Sequence, residues 1–145
     1  MADRLAGRVA IVTGSGRGIG RGVAMLMAEE GASVVVNDLG GNVDGSDTSN
    51  TPAGEVVAEI QAAGGTAVPN FDSVASYEGA ANIVKTAIDS FGRVDILCHV
   101  AGILRDRMVF NMTEEEWDAV LAVHLKGAFN TVRNVVPHMI QQHYG

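Results

Sequence analysis

Val9–Gly20 reads VAIVTGSGRGIG. An apolar run ends at Thr13, and four glycines, Gly14, Gly16, Gly18 and Gly20, fall within the next seven positions. A run without polar alternation suits a parallel strand buried on both faces. A strand, a glycine-rich turn and a helix aim backbone N–H groups and a positive dipole end at an anion, the geometry that holds phosphate. Glycine serves where the chain turns tightly or meets a ligand with its backbone. A P-loop is excluded, because no Gly-Lys-Ser/Thr follows. The common G-x-G-x-x-G pattern fails as well, since Gly14 and Gly16 would need glycine where Ile19 stands. The spacing that fits is T-G-x-x-x-G-x-G, through Thr13, Gly14, Gly18 and Gly20.

Outward from this stretch, strands and helices alternate. SVVVND (33–38), the weaker TAVPNF (66–71) and VDILCHV (94–100) read as further strands. Helical spacing recurs in Ile19, Val23 and Leu26/Met27, with Gly31 as a stop. A second helix is marked by Val56, Val57, Ile60 and Ala63 between Pro52 and Gly64, and a third opens at Ser76 and closes at Gly92. Thr113 and Glu116 form a T-x-x-E capping box for a last helix. That helix is expected to run to about Gln141 with a bend at Pro137, since an interior proline removes a helix hydrogen bond. The order predicts a doubly wound parallel α/β sheet of the Rossmann type, with strand order 3-2-1-4. Pro69 fits, because proline in a strand belongs at a sheet edge, and the third strand is that edge. The polar stretch Leu39–Asn50 reads as a surface insertion or as a flap over the end of the second strand.

With 145 residues and 47% apolar composition, the chain is long and apolar enough for one domain with a core, here taken as residues 1–145. The net charge of −7 argues against nucleic acid and anionic membranes as partners. Cys98 stands alone, which suits a reducing compartment, and no segment resembles a leader or a membrane span, so a cytoplasmic protein is expected. The four histidines, His99, His124, His138 and His143, show no metal-ligand spacing, and no metal site is expected.

Taken together, TGSGRGIG, VVVNDLGG, FDSV, AGILRDR, TEEEWDAVLAVHLKGAF and VPHM resemble, in this order, the short-chain dehydrogenase/reductase family. NDLGG, AGILRDR and VHLKG look most like the (3R)-hydroxyacyl-CoA dehydrogenase domains of multifunctional β-oxidation enzymes and their bacterial relatives. The resemblance implies a nicotinamide cofactor, with Gly14, Ser15, Arg17, Gly18, Ile19 and Gly20 around the pyrophosphate and nicotinamide side. Asp38 would accept both adenosine-ribose hydroxyls and repel a 2′-phosphate, favouring NAD over NADP; Arg17 argues the other way. Leu39 would flank the adenine, Asp72 and Ser73 would contact it, and Ala101 and Gly102 would let the ribose approach. His124 stands where many members carry an active-site Asn.

The chain departs from the family at two places. His99-Val100-Ala101-Gly102 replaces Asn-Asn-Ala-Gly, with His99 read as a hydrogen-bonded structural histidine and Cys98 as a small buried side chain. The family's catalytic Ser and Tyr-x-x-x-Lys have no counterpart: Tyr77 and Tyr144 are the two tyrosines, and neither has the lysine. Three readings follow. In the first, the chain is the cofactor-binding half of an NAD-dependent oxidoreductase acting on a small hydroxyl or carbonyl substrate, inactive by itself and incomplete relative to the family. The second is a dinucleotide-binding module without catalysis, and the third an S-adenosylmethionine-dependent methyltransferase-type domain, which T-G-x-x-x-G-x-G and AGILRDR oppose. Arg105 and Arg107 would attract an anionic substrate or form a solvated charged turn. The resemblance also implies a homo-oligomer, dimer or tetramer, built on the last long helix.

Overall fold

The computed structural model describes residues 3–40 and 51–145. Four strands, β1 (Val9–Thr13), β2 (Ser33–Asn37), β3 (Thr66–Asn70) and β4 (Ile96–His99), pair in parallel in the order β3-β2-β1-β4. Between and after them run α1 (Gly18–Glu29), α2 (Thr51–Ala62), α3 (Tyr77–Phe91), α4 (Glu114–Leu121) and α5 (Gly127–Gln142). This is the expected Rossmann-like α/β order.

Side chains along a strand alternate between faces, and the core divides accordingly. Val12, Val34 and Val36 pack with Ala24, Val56 and Ile60 from α1 and α2. Val9, Ile11 and Val35 pack with Ile83, Val84 and Val135 from α3 and α5. All five residues of β1 are buried because helices cover both faces of the central strand. Fully burying a side chain such as Ile11 contributes about 1.5–3 kcal/mol. Pro69 lies opposite Val36 on β3, which among the described residues pairs with β2 alone, so its missing N–H faces the edge away from β2. At the other edge β4 is half-buried throughout, and Cys98 with it, rather than fully buried as expected from its apolar sequence.

Local signals set the helix ends. The Ser76 hydroxyl accepts the Gly79 N–H at 2.8 Å, and Gly92, with φ 79°, closes α3. At α4 the capping box forms in both directions: Thr113 Oγ1 accepts the Glu116 N–H at 3.1 Å, and Glu116 Oε2 accepts the Thr113 N–H at 3.0 Å. A cap of this kind contributes about 1 kcal/mol.

The last helix runs as expected from the Thr113 cap, to Gln142, and it continues through Pro137. Within it a π turn, Ala122–Lys126, joins α4 to α5, with α-helical dihedrals at Leu121, Lys126 and Gly127. The turn leads into a close approach of α5 to its neighbours. A Cβ on Gly127 would stand 2.9 Å from Val74 Cγ2 and 3.3 Å from His99 Cε1, so only the glycine fits there, and the wide turn brings it into place. Pro137 and Arg133 are exposed, so water can satisfy the carbonyl that the proline leaves without a donor. The strands end earlier than predicted: β2 at Asn37, β3 at Asn70, and β4 within Ile96–His99. Beyond β4, the Val100 N–H donates to the Thr13 side chain instead of a strand neighbour. Most of the polar stretch Leu39–Asn50, from residue 41 on, lies outside the described residues.

At the amino ends of the strands, buried Asp95 joins β4 to β1. Its carboxylate accepts the Val9 N–H at 2.9 Å and the Arg93 guanidinium at 2.5–3.1 Å, with Arg8 at 3.7 Å. The Tyr144 ring lies 3.6 Å from the Arg8 guanidinium. Among the described residues no helix is long and apolar enough to cross a membrane, and no group of three or more His, Cys, Asp or Glu is placed to hold a metal ion.

Candidate functional site

Strand order reverses between β1 and β4, and a crevice opens at the carboxyl ends of strands at such a point. Thr13 sets its floor. Its side chain is fully buried, and Oγ1 accepts the N–H groups of Val100 at 3.0 Å and Ala101 at 3.2 Å. Gly14 then leaves β1 with φ 62°, and a Cβ on it would lie 2.7 Å from Ala101 Cα. No side chain can enter there. A Cβ on Gly20 would overlap the Gly14 carbonyl, so the start of α1 rests directly on the turn. Among the described residues, α1 begins without a side-chain cap hydrogen bond and without an acidic residue in its first turn. Its amide groups therefore suit an anion supplied from outside.

Asp38 follows β2 on the second side of the crevice. Oδ2 accepts the Gly16 N–H at 2.9 Å and Oδ1 the Gly40 N–H at 2.7 Å. An ionised carboxylate has about four acceptor positions, so each oxygen can take a further hydrogen bond. A Cβ on Gly16 would come within 2.8 Å of the Asp38 carboxyl carbon and 2.6 Å of Pro52 Cβ. The turn is thus pressed against the acid.

Asparagines at two strand ends shape the third side. Asn37 Nδ2 donates to Asn70 Oδ1 and to the Asp72 carbonyl, each at 2.9 Å. Asn70 Nδ2 donates to Asp72 Oδ2 at 2.9 Å and to Thr86 Oγ1 at 3.0 Å. Ser73 Oγ accepts the Ala75 N–H at 3.2 Å. On the fourth side the His124 ring lies against Gly102, where a Cβ would stand 2.5 Å from His124 Cε1. His124 Nε2 is 3.2 Å from the Ile103 nitrogen and 3.0 Å from its carbonyl oxygen.

The structure brings Gly14, Arg17, Asp38, Leu39, Asp72, Ser73, Ala101 and Gly102 to one cleft. It does not bring all the predicted residues there. The Ser15 hydroxyl turns inward, donating to the Val12 carbonyl at 2.6 Å, and its N–H donates to the Asn37 carbonyl at 2.9 Å. Gly20 is buried beneath the turn, Gly18 sits at the start of α1, and Ile19 projects outward with 78% exposure. His124 is not among the residues lining the cleft; it reaches it through Gly102 and Ile103. Arg107 pairs with Glu116 at 2.9 Å, which leaves its charge partly neutralised. Sequence reasoning missed Asn37 and Asn70, whose signal was a buried amide closing each of two adjacent strands. It also missed Val100, Ile103 and Val123 on the cleft wall. His99 is half-buried, and desolvation holds its ring below the ordinary histidine value, with His124 adding to the effect and the Val123 carbonyl opposing it.

A parallel sheet that reverses order beside a glycine turn, with an acid after the second strand, defines a Rossmann-like domain of the dehydrogenase type. The chain belongs to the short-chain dehydrogenase family, whose model matches residues 8–145. A Mycobacterium tuberculosis protein named as a short-chain type dehydrogenase/reductase is 55% identical over 138 residues, covering 95% of this chain and 48% of that protein. The peroxisomal multifunctional enzyme type 2 of Mus musculus is 49% identical over 142 residues, covering 98% of this chain and 19% of the enzyme. The crystal structure of a short chain dehydrogenase from Mycobacterium avium superimposes with a TM-score of 0.87 at 49% identity, over 97% of this chain and 49% of that one. The chain spans about half the length of the first of these relatives and of the solved structure, and a fifth of the multifunctional enzyme.

Proposed function

We propose that this chain supplies the NAD-binding half of an oxidoreductase that moves a hydride between NAD and a hydroxyl or carbonyl carbon. The observation that carries the reading is Asp38: a carboxylate held by Gly16 and Gly40 beside the glycine turn, with acceptor positions to spare for two ribose hydroxyls. A 2′-phosphate brought to the same place would meet that charge, and juxtaposed like charges cost several kcal/mol. Arg17 lines the same cleft and favours the phosphate. Asp38 outranks it because the carboxylate would sit on the hydroxyl itself. In this reading Gly14, Gly18 and the first amides of α1 take the pyrophosphate, and Leu39, Asp72 and Ser73 take the adenine. Ala101 and Gly102 let the second ribose approach, and His124 stands at the nicotinamide end. A bound dinucleotide would supply the hydride chemistry; these residues bind and orient it. The likeness to the multifunctional enzymes supports a 3-hydroxyacyl thioester as the small-molecule substrate class.

Residues 1–145 by themselves are read as binding without turnover. Tyr77 is exposed at the start of α3, and Tyr144 lies on Arg8 at the amino ends of the strands, away from the cleft. Neither is placed to donate a proton there. The reading includes a homo-oligomer, supported by exposed Leu125, Phe129, Val136 and Ile140 on the π turn and α5.

Calorimetric titration with NAD, NADP and S-adenosylmethionine tests the proposal. NAD is expected to bind most tightly, S-adenosylmethionine not at all, and Asp38→Ser to lower the NAD/NADP preference at least tenfold, the equivalent of about 1.4 kcal/mol. Equal affinity for NAD and NADP, or a preference unchanged by Asp38→Ser, would overturn it. S-adenosylmethionine binding would favour the methyltransferase reading.

A further inference from the structure

Asn70 closes β3 at 6% exposure, and its side chain uses every hydrogen-bonding position it has. Nδ2 donates to Asp72 Oδ2 at 2.9 Å and to Thr86 Oγ1 at 3.0 Å. Oδ1 accepts Asn37 Nδ2 and the Asp72 N–H, each at 2.9 Å. The Asn70 backbone carbonyl accepts the Asp38 N–H at 3.1 Å. One residue thus joins both acids of the cleft, Asp38 through its main chain and Asp72 through its side chain.

Counting protons leaves this amide a single orientation. The Thr86 hydroxyl donates to the Asn82 carbonyl at 2.9 Å, one turn back along α3. Its oxygen must therefore accept from Asn70. An ionised Asp72 carboxylate has no proton to give, so the same NH2 group faces it as well. Asp72 is consequently fixed at three points. Asn70 holds its N–H and its Oδ2, and Asn37 Nδ2 holds its carbonyl at 2.9 Å. Asp72 Oδ1 takes no hydrogen bond among the described residues, and Asp72 lines the cleft. A fixed acceptor selects a donor. Adenine presents an exocyclic amino group at its ring edge, where hypoxanthine, of nearly the same shape, presents a carbonyl oxygen.

We propose that Asn70 is a positioning residue that sets base specificity: it holds Asp72 so that Oδ1 stands open as an acceptor, admitting an aminopurine in preference to an oxopurine. The inference rests on the reading that the cleft takes a dinucleotide with its base at Asp72. The side chain of Asn70 needs no contact with the base, because it acts through Asp72. Its main-chain bond to Asp38 survives any substitution that keeps the fold, so the base preference and the ribose preference separate at this residue.

Calorimetric titration of the full chain with NAD, NADP and nicotinamide hypoxanthine dinucleotide tests this. The unsubstituted chain is expected to bind NAD at least about tenfold more tightly than the hypoxanthine analogue, the scale of one hydrogen bond to a charged group. Asn70→Ala, and Asn70→Asp, which puts an acceptor where the donor stood, are expected to bring that ratio to about threefold or less. The NAD/NADP ratio of Asn70→Ala is expected to stay within about twofold of the unsubstituted value. A base ratio unchanged in a folded variant overturns this proposal and leaves the dinucleotide reading standing. A NAD/NADP ratio that falls together with the base ratio also overturns it, because the role of Asn70 is then structural. A chain that binds none of the three overturns both the reading and the proposal. If neither variant folds, the base ratio of the unsubstituted chain and hydrogen exchange at the Asn70 side-chain amide decide. Both amide protons are expected to be protected in the free chain, and exchange of either at the rate of a solvated amide overturns the proposal.

Discussion

Thr13 is the residue on which the crevice closes, and replacing it with valine isolates one oxygen atom. The two side chains have nearly the same shape, so Thr13→Val opens no cavity at this fully buried position. It removes the acceptor for the Val100 N–H at 3.0 Å and the Ala101 N–H at 3.2 Å. A buried donor left unsatisfied costs about 1–3 kcal/mol. Val100 and Ala101 are half-buried, so water recovers part of that cost. A total loss of about 2–4 kcal/mol is expected from these two donors, a large share of the roughly 5–15 kcal/mol that holds a domain together. Thr13→Ser keeps the oxygen and loses one methyl, about 0.8 kcal/mol. Urea denaturation of both variants at constant slope measures the difference. Amide exchange locates it, with Val100 and Ala101 expected to lose protection in the valine variant and to keep it in the serine variant. If valine costs no more than serine, or the two amides stay protected, the hydroxyl is not what ties β4 to β1.

Two further outcomes follow from the backbone and from Asp95. Gly14→Ala forces a Cβ to 2.7 Å from Ala101 Cα at φ 62°, so the left-handed conformation, at about 1–2 kcal/mol, adds to the overpacking. A thermal melt should show a lower midpoint together with lost NAD binding, and a variant that keeps both would show that the turn has room to spare. Burial pushes the Asp95 carboxyl up, but the Arg93 hydrogen bonds, the Val9 N–H and the charges of Arg93 and Arg8 outweigh it, holding the group below its ordinary 3.8. A folded value below the unfolded one means that this stabilisation is present above 3.8 and drains away as pH falls through the folded value. Denaturation midpoints across the acid range should therefore fall less steeply in Asp95→Asn than in the unsubstituted protein, and parallel curves would rule the clamp out.

Much of the fold was legible because its signals are local. The apolar run into Thr13, the spacing of Gly14, Gly18 and Gly20, the Thr113/Glu116 box and the stops at Gly31, Gly64 and Gly92 each act over a few residues, where dihedral preference and periodicity suffice. Pro69 was readable for the same reason: a missing N–H tolerates only a strand edge. Asp38 could be picked out because an acid closing the second strand has a fixed relation to the turn before α1.

The tertiary structure alone decided what depends on packing between distant segments. Thr13 and His99 are 86 positions apart, and nothing near either one announces that the hydroxyl and the imidazole Nδ1 meet at 3.3 Å. Ser15 looked like a ligand-facing residue, but its hydroxyl turns inward to the Val12 and Asn37 carbonyls. The helix that capping and periodicity drew as continuous is continuous, but only the structure shows the π turn at Ala122–Lys126 and Gly127 beside Val74 and His99, where a side chain would be in the way. Short-range preferences select the elements, while close packing fixes their register and the direction each polar atom faces.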